Sequence, residues 1–133
     1  MRYLLDTNVI IDLANDRSPQ LADRLEQESF VDLAVCSITI GELQFGETKA
    51  QRRSRSLAYF ESFMDGLEVV PVDELSARTY GRIRGKLERI GYSIGGNDLL
   101  IAACALVNGL ILVTRNTVEF GRIDGLKIED WSA

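Results

Sequence analysis

Short apolar runs alternate with segments of helical periodicity along the whole of this 133-residue chain, and that alternation limits its fold more than any other feature. Arg2–Leu5 reads as a short buried strand ending at Asp6. Thr7 to Ala14 places Val9, Ile10 and Leu13 at helical spacing, with Asp6 or Thr7 as the cap. A second helix is expected from Pro19, carrying Leu21 and Leu25, and then a β-rich run, Phe30–Cys36. Ser37 is read as the N-cap of a helix that holds Glu42. Leu57, Phe60, Phe63 and Met64 share one amphipathic helix, and Leu67–Val72 is a strand closed by Pro71. Tyr80, Ile83, Leu87 and Ile90 repeat in steps of three and four as a core stripe. Gly91, Gly95 and Gly96 interrupt the chain before Asp98. Leu99–Val107 is apolar all round and predicts a buried helix stopped by Gly109. Leu110–Val113 and Leu126–Ile128 are the last strands, with Trp131 packing the tail. Strands that alternate with helices in this way form a mostly parallel sheet covered on both faces, an α/β class. The length suits one core and no linker-like stretch interrupts it, so residues 1–133 are expected to form a single domain.

The chain contains no histidine, which excludes imidazole-based zinc sites and Ser-His or Cys-His catalysis. Any chemistry must rest on carboxylates, amides, hydroxyls, Lys or Arg. Cys36 and Cys104 each lie in an apolar run and read as buried free thiols, consistent with a reducing, cytoplasmic location. Asp6 comes too early for a signal peptide, and Leu99–Val107 is too short to cross a bilayer, so no membrane association is expected. A net charge of −5 argues against a general nucleic-acid coating protein. It leaves room for a nuclease, in which an acidic pocket is offset by bound cations.

Three acids fall where a parallel sheet gathers functional groups, beyond strand ends and at helix starts. Asp6 follows the first strand and Asp98 opens an apolar helix; taken singly, each could be a helix cap. Glu42 lies among Ile38, Ile40, Leu43 and Phe45, and a charge near a buried face needs a partner or a metal. Hard divalent ions such as Mg²⁺ or Mn²⁺ prefer such oxygen ligands. Together they could support metal-assisted phosphodiester hydrolysis, with water attacking in line to leave a 5′-phosphate and a 3′-hydroxyl.

Four stretches carry a family resemblance: Leu5-Asp6-Thr7-Asn8, Ser37 to Leu43, Gly96 to Ala103, and Val113-Thr114-Arg115-Asn116. With the closing run from Glu119-Phe120 to Asp130-Trp131, they resemble the PIN-domain family, and more narrowly VapC-type toxins of toxin–antitoxin pairs. The resemblance spans essentially the whole chain. It implies a PIN-like three-layer α/β/α sandwich, Mg²⁺-dependent endoribonuclease activity on RNA, a cognate VapB-like antitoxin and a homodimer. It carries over Asp6, Glu42 and Asp98 as metal-binding and catalytic acids. Relatives often have Pro where this chain has Gly96, and many place Asp where Asn116 stands. The fourth position therefore falls to Asn116 as a metal-site group or to Glu119 as an outer catalytic acid.

Around these acids, Thr7, Asn8, Thr114 and Arg115 are assigned to substrate. Thr7 and Asn8 could equally serve the helix start, and Thr114 is expected to bond Asp98. Asp12 reads as solvated. Lys49, Arg52, Arg53 and Arg55 form a basic run that either meets phosphate or is an ordinary solvated face. Arg122 is expected to face substrate, whereas Arg82, Arg84, Lys86 and Arg89 could serve RNA or an antitoxin. Tyr59, Phe60 and Phe63 favour a protein interface. Three other readings compete. A PIN fold that binds RNA or a partner without cutting would be expected to lack one of the acids, and none is missing. A receiver-type signalling domain needs a paired acid after the first strand and a lysine near the last, and the chain has neither. A metal-dependent DNA nuclease or phosphatase would use the same carboxylates.

Overall fold

The computed structural model describes residues 1–133. In chain order the elements are β1 (Tyr3–Leu5), α1 (Thr7–Ala14), α2 (Pro19–Glu26), β2 (Leu33–Cys36), α3 (Ser37–Ala50), α4 (Arg55–Phe63), β3 (Glu68–Val70), α5 (Glu74–Arg89), α6 (Gly96–Val107), β4 (Ile111–Val113), α7 (Thr117–Phe120) and β5 (Ile128–Glu129). The five strands form one sheet in the order β3-β2-β1-β4-β5, with every pairing parallel.

The alternation of side chains along a strand explains the layers. Leu4 pairs in register with Ala34 and Leu112, and all three point into one core with Cys36 and Val70, against Leu87 of α5 and Leu99, Ile101 and Cys104 of α6. Tyr3, Leu5, Leu33, Val35 and Val113 point the other way, onto Val9, Ile10 and Leu13 of α1, Leu21 of α2 and Leu57 of α4. The sheet is thus buried on both faces, and its strands read as continuous apolar runs. Trp131 closes the second core, its ring edge-on to Tyr3 at 4.9 Å.

Several boundaries differ from the sequence reading. Phe30–Asp32 is a 3₁₀ turn with Phe30 and Val31 exposed, so the strand begins only at Leu33. Cys36, not Ser37, is the N-cap of α3. Only Thr39 and Leu43 of α3 are buried, and Phe45 is exposed. Leu67–Val72 contracts to the edge strand Glu68–Val70. The last strand lies at Ile128–Glu129. Phe63 and Ile90, placed on core stripes by spacing, are mostly exposed, each at the C-terminal end of its helix. Gly109 stops α6 as expected. At φ +65 it is the left-handed residue, and Gly109 N–H and Leu110 N–H bond the carbonyls of Leu106 and Ala105.

This topology fixes where a site can form. The chain leaves β1 for β2 and β3 on one side, then crosses back to β4 on the other. Connections therefore diverge beyond the carboxyl end of β1, and that divergence opens a crevice there.

Candidate active site

Asp6 sits at that point. Its backbone still belongs to the sheet, donating to the Val113 carbonyl at 3.0 Å, while its side chain caps α1. Oδ1 accepts from Thr7 N–H at 2.8 Å, and Oδ2 accepts from the Thr114 hydroxyl at 2.9 Å. Asp6 is only 1% exposed. Burial raises its proton affinity, the Thr114 and Thr7 hydrogen bonds oppose that rise, Glu42 adds to it, and Arg115 lowers it.

Glu42 is delivered by α3 and fixed through Thr7, whose hydroxyl donates to Oε1 at 2.6 Å. A carboxylate can only accept, so Thr7 is the donor there. The Thr39 hydroxyl, 2.9 Å from Thr7 Oγ1, must then donate to Thr7. The relay Thr39–Thr7–Glu42 joins the first turns of α1 and α3.

Asp98 lies in the first turn of α6, which starts at Gly96 behind an N-cap at Gly95, so it is not itself the cap. No protein group hydrogen-bonds its carboxylate. Its pKa is raised from 3.8 to about 6, first by burial and then by the charges of Asp6, Glu42 and Glu119. Three elements thus bring Asp6, Glu42 and Asp98 to one cavity of about 540 Å³, which Thr7, Asn8 and Asn97 also line.

The remaining assigned residues are placed less uniformly. Asn8 lines the cavity and is exposed. Thr114 is buried, and its hydroxyl bonds Asp6 rather than Asp98 while accepting from Asn116 N–H at 3.0 Å. Asn116 and Glu119 fall on one face of the turn into α7, and the Asn116 amide donates to the Glu119 carboxylate. Neither lines the cavity; Glu119 reaches Asp98 through its charge. Arg115 is half-exposed and ion-paired through Nε to Asp12 at 3.2 Å. Asp12 is buried, contrary to the solvated reading, because Arg17 and Arg115 both pair with it. Arg122 is stacked 3.7 Å from the Tyr92 ring centroid. Arg84 pairs with Glu88, Lys86 with Asp124, and Arg53 with Glu61. Sequence reasoning assigned no role to Thr39 or Asn97. Asn97 is signalled by its place beside Asp98, and Thr39 by its spacing one helical turn before Glu42.

The donor set fits a hard cation. Three carboxylates facing one cavity repel one another, and a divalent ion relieves that repulsion. No three acids close around a single point as a ready-made cage.

The PIN domain family matches residues 3–126, and the chain belongs to it. Among its relatives are the tRNA(fMet)-specific endonuclease VapC of Shigella flexneri, 36% identical over 99% of both chains, and ribonuclease VapC2 of Haemophilus influenzae, 36% identical over 98% of both. The fold superimposes on the DNA-bound VapBC structure from Salmonella typhimurium with a TM-score of 0.88 at 37% identity, covering 98% of each chain. It also superimposes on VapBC2 from Rickettsia felis bound to a promoter DNA fragment, with a TM-score of 0.86 at 34% identity, covering 98% of this chain and 99% of that one. No helix is long and apolar enough to cross a membrane.

Proposed function

We propose that this chain is a metal-dependent endoribonuclease, the toxin of a type II toxin–antitoxin pair, acting at Asp6, Glu42 and Asp98. The observation that carries the reading is the convergence of these three acids, from three separate elements, on one cavity beyond the carboxyl end of β1. The names of the full-length relatives supply the RNA substrate class.

Asp6, Glu42 and Asp98 would hold Mg²⁺ or Mn²⁺, directly or through water, with Asn116 and Glu119 behind Asp98. When bound, such an ion polarises the phosphodiester and offsets charge on the departing oxygen. Asp6 is held by two donors and Glu42 by one, so both are fixed in orientation. Asp98, free of hydrogen-bond partners, is the group able to turn and take the proton from the attacking water at a carboxylate oxygen. Water adds to phosphorus in line, the bond to O3′ breaks, and the products are a 5′-phosphate and a 3′-hydroxyl. Neutralisation by a VapB-like antitoxin follows from the same relationship, since the matched structures are VapBC assemblies. A homodimer and a cytoplasmic location complete the reading.

Initiator tRNA is the first substrate to try, because relatives are named for it. A panel of RNAs including initiator tRNA should be cut in Mg²⁺ or Mn²⁺, stay intact in EDTA, and yield 5′-phosphate ends. Undiminished cutting in EDTA, 2′,3′-cyclic phosphate ends, or full activity in Asp6→Ala would refute the proposal. The alternative of a binding module without chemistry would show RNA retention and no cleavage under any metal.

A further inference from the structure

The surface ion pairs of this chain mostly set one cation against one acid on an exposed face, as in Arg78–Glu74, Arg84–Glu88 and Arg53–Glu61. Asp12 is different. Its carboxyl group is buried and takes Arg17 Nη1 on Oδ1 at 3.3 Å and Arg115 Nε on Oδ2 at 3.2 Å. Two positive charges share one negative, so the triad carries a net positive charge in a chain whose overall charge is −5. Each guanidinium uses one nitrogen on Asp12 and keeps its remaining donors for solvent, with more than half of each side chain exposed.

Arg115 links the triad to Asp6. Arg115 follows Thr114, whose hydroxyl holds Asp6, and the charge of Arg115 is felt at Asp6. Asp12 lies on α1, about 7–8 Å along the helix axis from Thr7. Arg17 is brought back over α1 by the turn that ends the helix. Asp16 takes the left-handed conformation at φ 51, Asp16 N–H bonds the Leu13 carbonyl, and Arg17 N–H bonds the Asp12 carbonyl. Both guanidinium groups are thereby aimed by backbone geometry as well as by the shared carboxylate. A planar guanidinium with free donors matches phosphate oxygens, and substrate approaching an acidic cavity needs positive charge at its rim.

We propose that Arg17 and Arg115, fixed by the buried carboxylate of Asp12, form a clamp for a backbone phosphate of bound RNA, with Asp12 as a positioning residue that touches no RNA itself. The clamp rests on the ribonuclease reading above and adds to it the residues that hold the strand.

Binding separates the clamp from the chemistry. A labelled single-stranded RNA 20-mer is titrated in Mg²⁺ buffer across a KCl series, with an Asp98→Asn chain as parent so that the RNA stays intact. Arg17→Ala and Arg115→Ala should each weaken Kd about tenfold at 100 mM KCl and flatten the slope of log Kd against log salt by about 0.7, the release expected for one lost contact on a single strand. Asp12→Asn gives the sharpest contrast. It removes a negative charge, so general electrostatics predicts tighter binding, whereas loss of positioning predicts binding at least threefold weaker. Adding Arg115→Ala to Asp12→Asn should then cost less than it does alone. Unchanged Kd and slope in both arginine variants would overturn the clamp while leaving the nuclease reading intact. Tighter binding by a folded Asp12→Asn would overturn the positioning role. If Asp12→Asn fails to fold, the half-exposed arginine variants still decide the clamp, with melting curves as control. If the parent binds no RNA and the wild-type chain cuts none, the ribonuclease reading falls and the clamp with it.

Discussion

Replacing Asp98 by Asn should make the chain more stable in metal-free buffer at neutral pH, although it removes a residue of the proposed active site. The carboxyl pKa rises from 3.8 to about 6 on folding, so the ionised form is disfavoured in the native cavity by about 3 kcal/mol before solvent screening. The side chain is only half-buried, and water screens part of this, leaving about 1–2 kcal/mol. The sign follows from proton binding. Below about pH 4 both states hold the proton and Asp98 costs nothing. Between about 4 and 6 the unfolded chain releases it first, and stability falls. Above about 6 the penalty is complete. Asparagine keeps the shape and never ionises, so the variant should melt about 3–8 °C above the parent at pH 7.5. At pH 4 the two should melt together.

Thermal unfolding by circular dichroism in EDTA at pH 4, 5, 6 and 7.5 measures this difference directly. With 10 mM Mg²⁺ at pH 7.5 the gap should narrow or reverse, because only the parent retains the full set of acids for the ion to stabilise. A variant that melts below the parent in EDTA at pH 7.5 would refute the reasoning and make Asp98 a structural support of α6. A rise equally large at pH 4 and pH 7.5 would also refute it, since a protonated carboxyl has no charge to remove.

Thr114→Val should leave Asp6 with a single donor and raise its proton affinity further, so the acid limb of the cleavage profile should move to higher pH; an unshifted limb would remove Thr114 from the support of Asp6. Cys36 and Cys104 are both fully buried, with Sγ atoms 3.6 Å apart, so neither thiol should react with a disulfide reagent within minutes in the native chain, and both should react in guanidinium. Rapid labelling of either would show that β2 and α6 separate readily.

The architecture was legible because a parallel sheet buried on both faces writes itself as short apolar runs between helical stretches; the first four strands lie within the runs that announced them, and the last overlaps its run only at Ile128. Periodicity reports which residues share a face but not where the neighbouring element ends. Phe63 and Ile90 continue their stripes in sequence yet fall at helix ends and stay mostly exposed, and Phe30–Val31 has strand composition but forms a 3₁₀ turn. The three acids were legible for a similar reason. Each stands at a junction between elements or among apolar residues, where a charge needs explanation. Their supports were harder to see. A hydroxyl that holds a carboxylate looks in sequence like any strand or helix threonine, and Thr7, Thr39 and Thr114 gain their roles from contacts that span 32 to 108 residues.

Asp12 shows most clearly why sequence position misleads about charge. An acid near the end of a short helix, followed by Asn15, Asp16 and Arg17, has the local composition of a solvated turn. Burial of that acid depends on a residue 103 positions away, because Arg115 reaches it only after β4 has been laid beside β1. The same strand pairing brings Thr114 to Asp6. One register, Leu5 beside Val113, therefore sets both the support of the proposed catalytic acid and the partner of the buried positioning acid. A shift of β4 by one residue would turn Thr114 to the opposite face and remove Arg115 from Asp12 in the same step. The support of Asp6 and the pairing of Arg115 with Asp12 are thus a single consequence of how β1 and β4 pair.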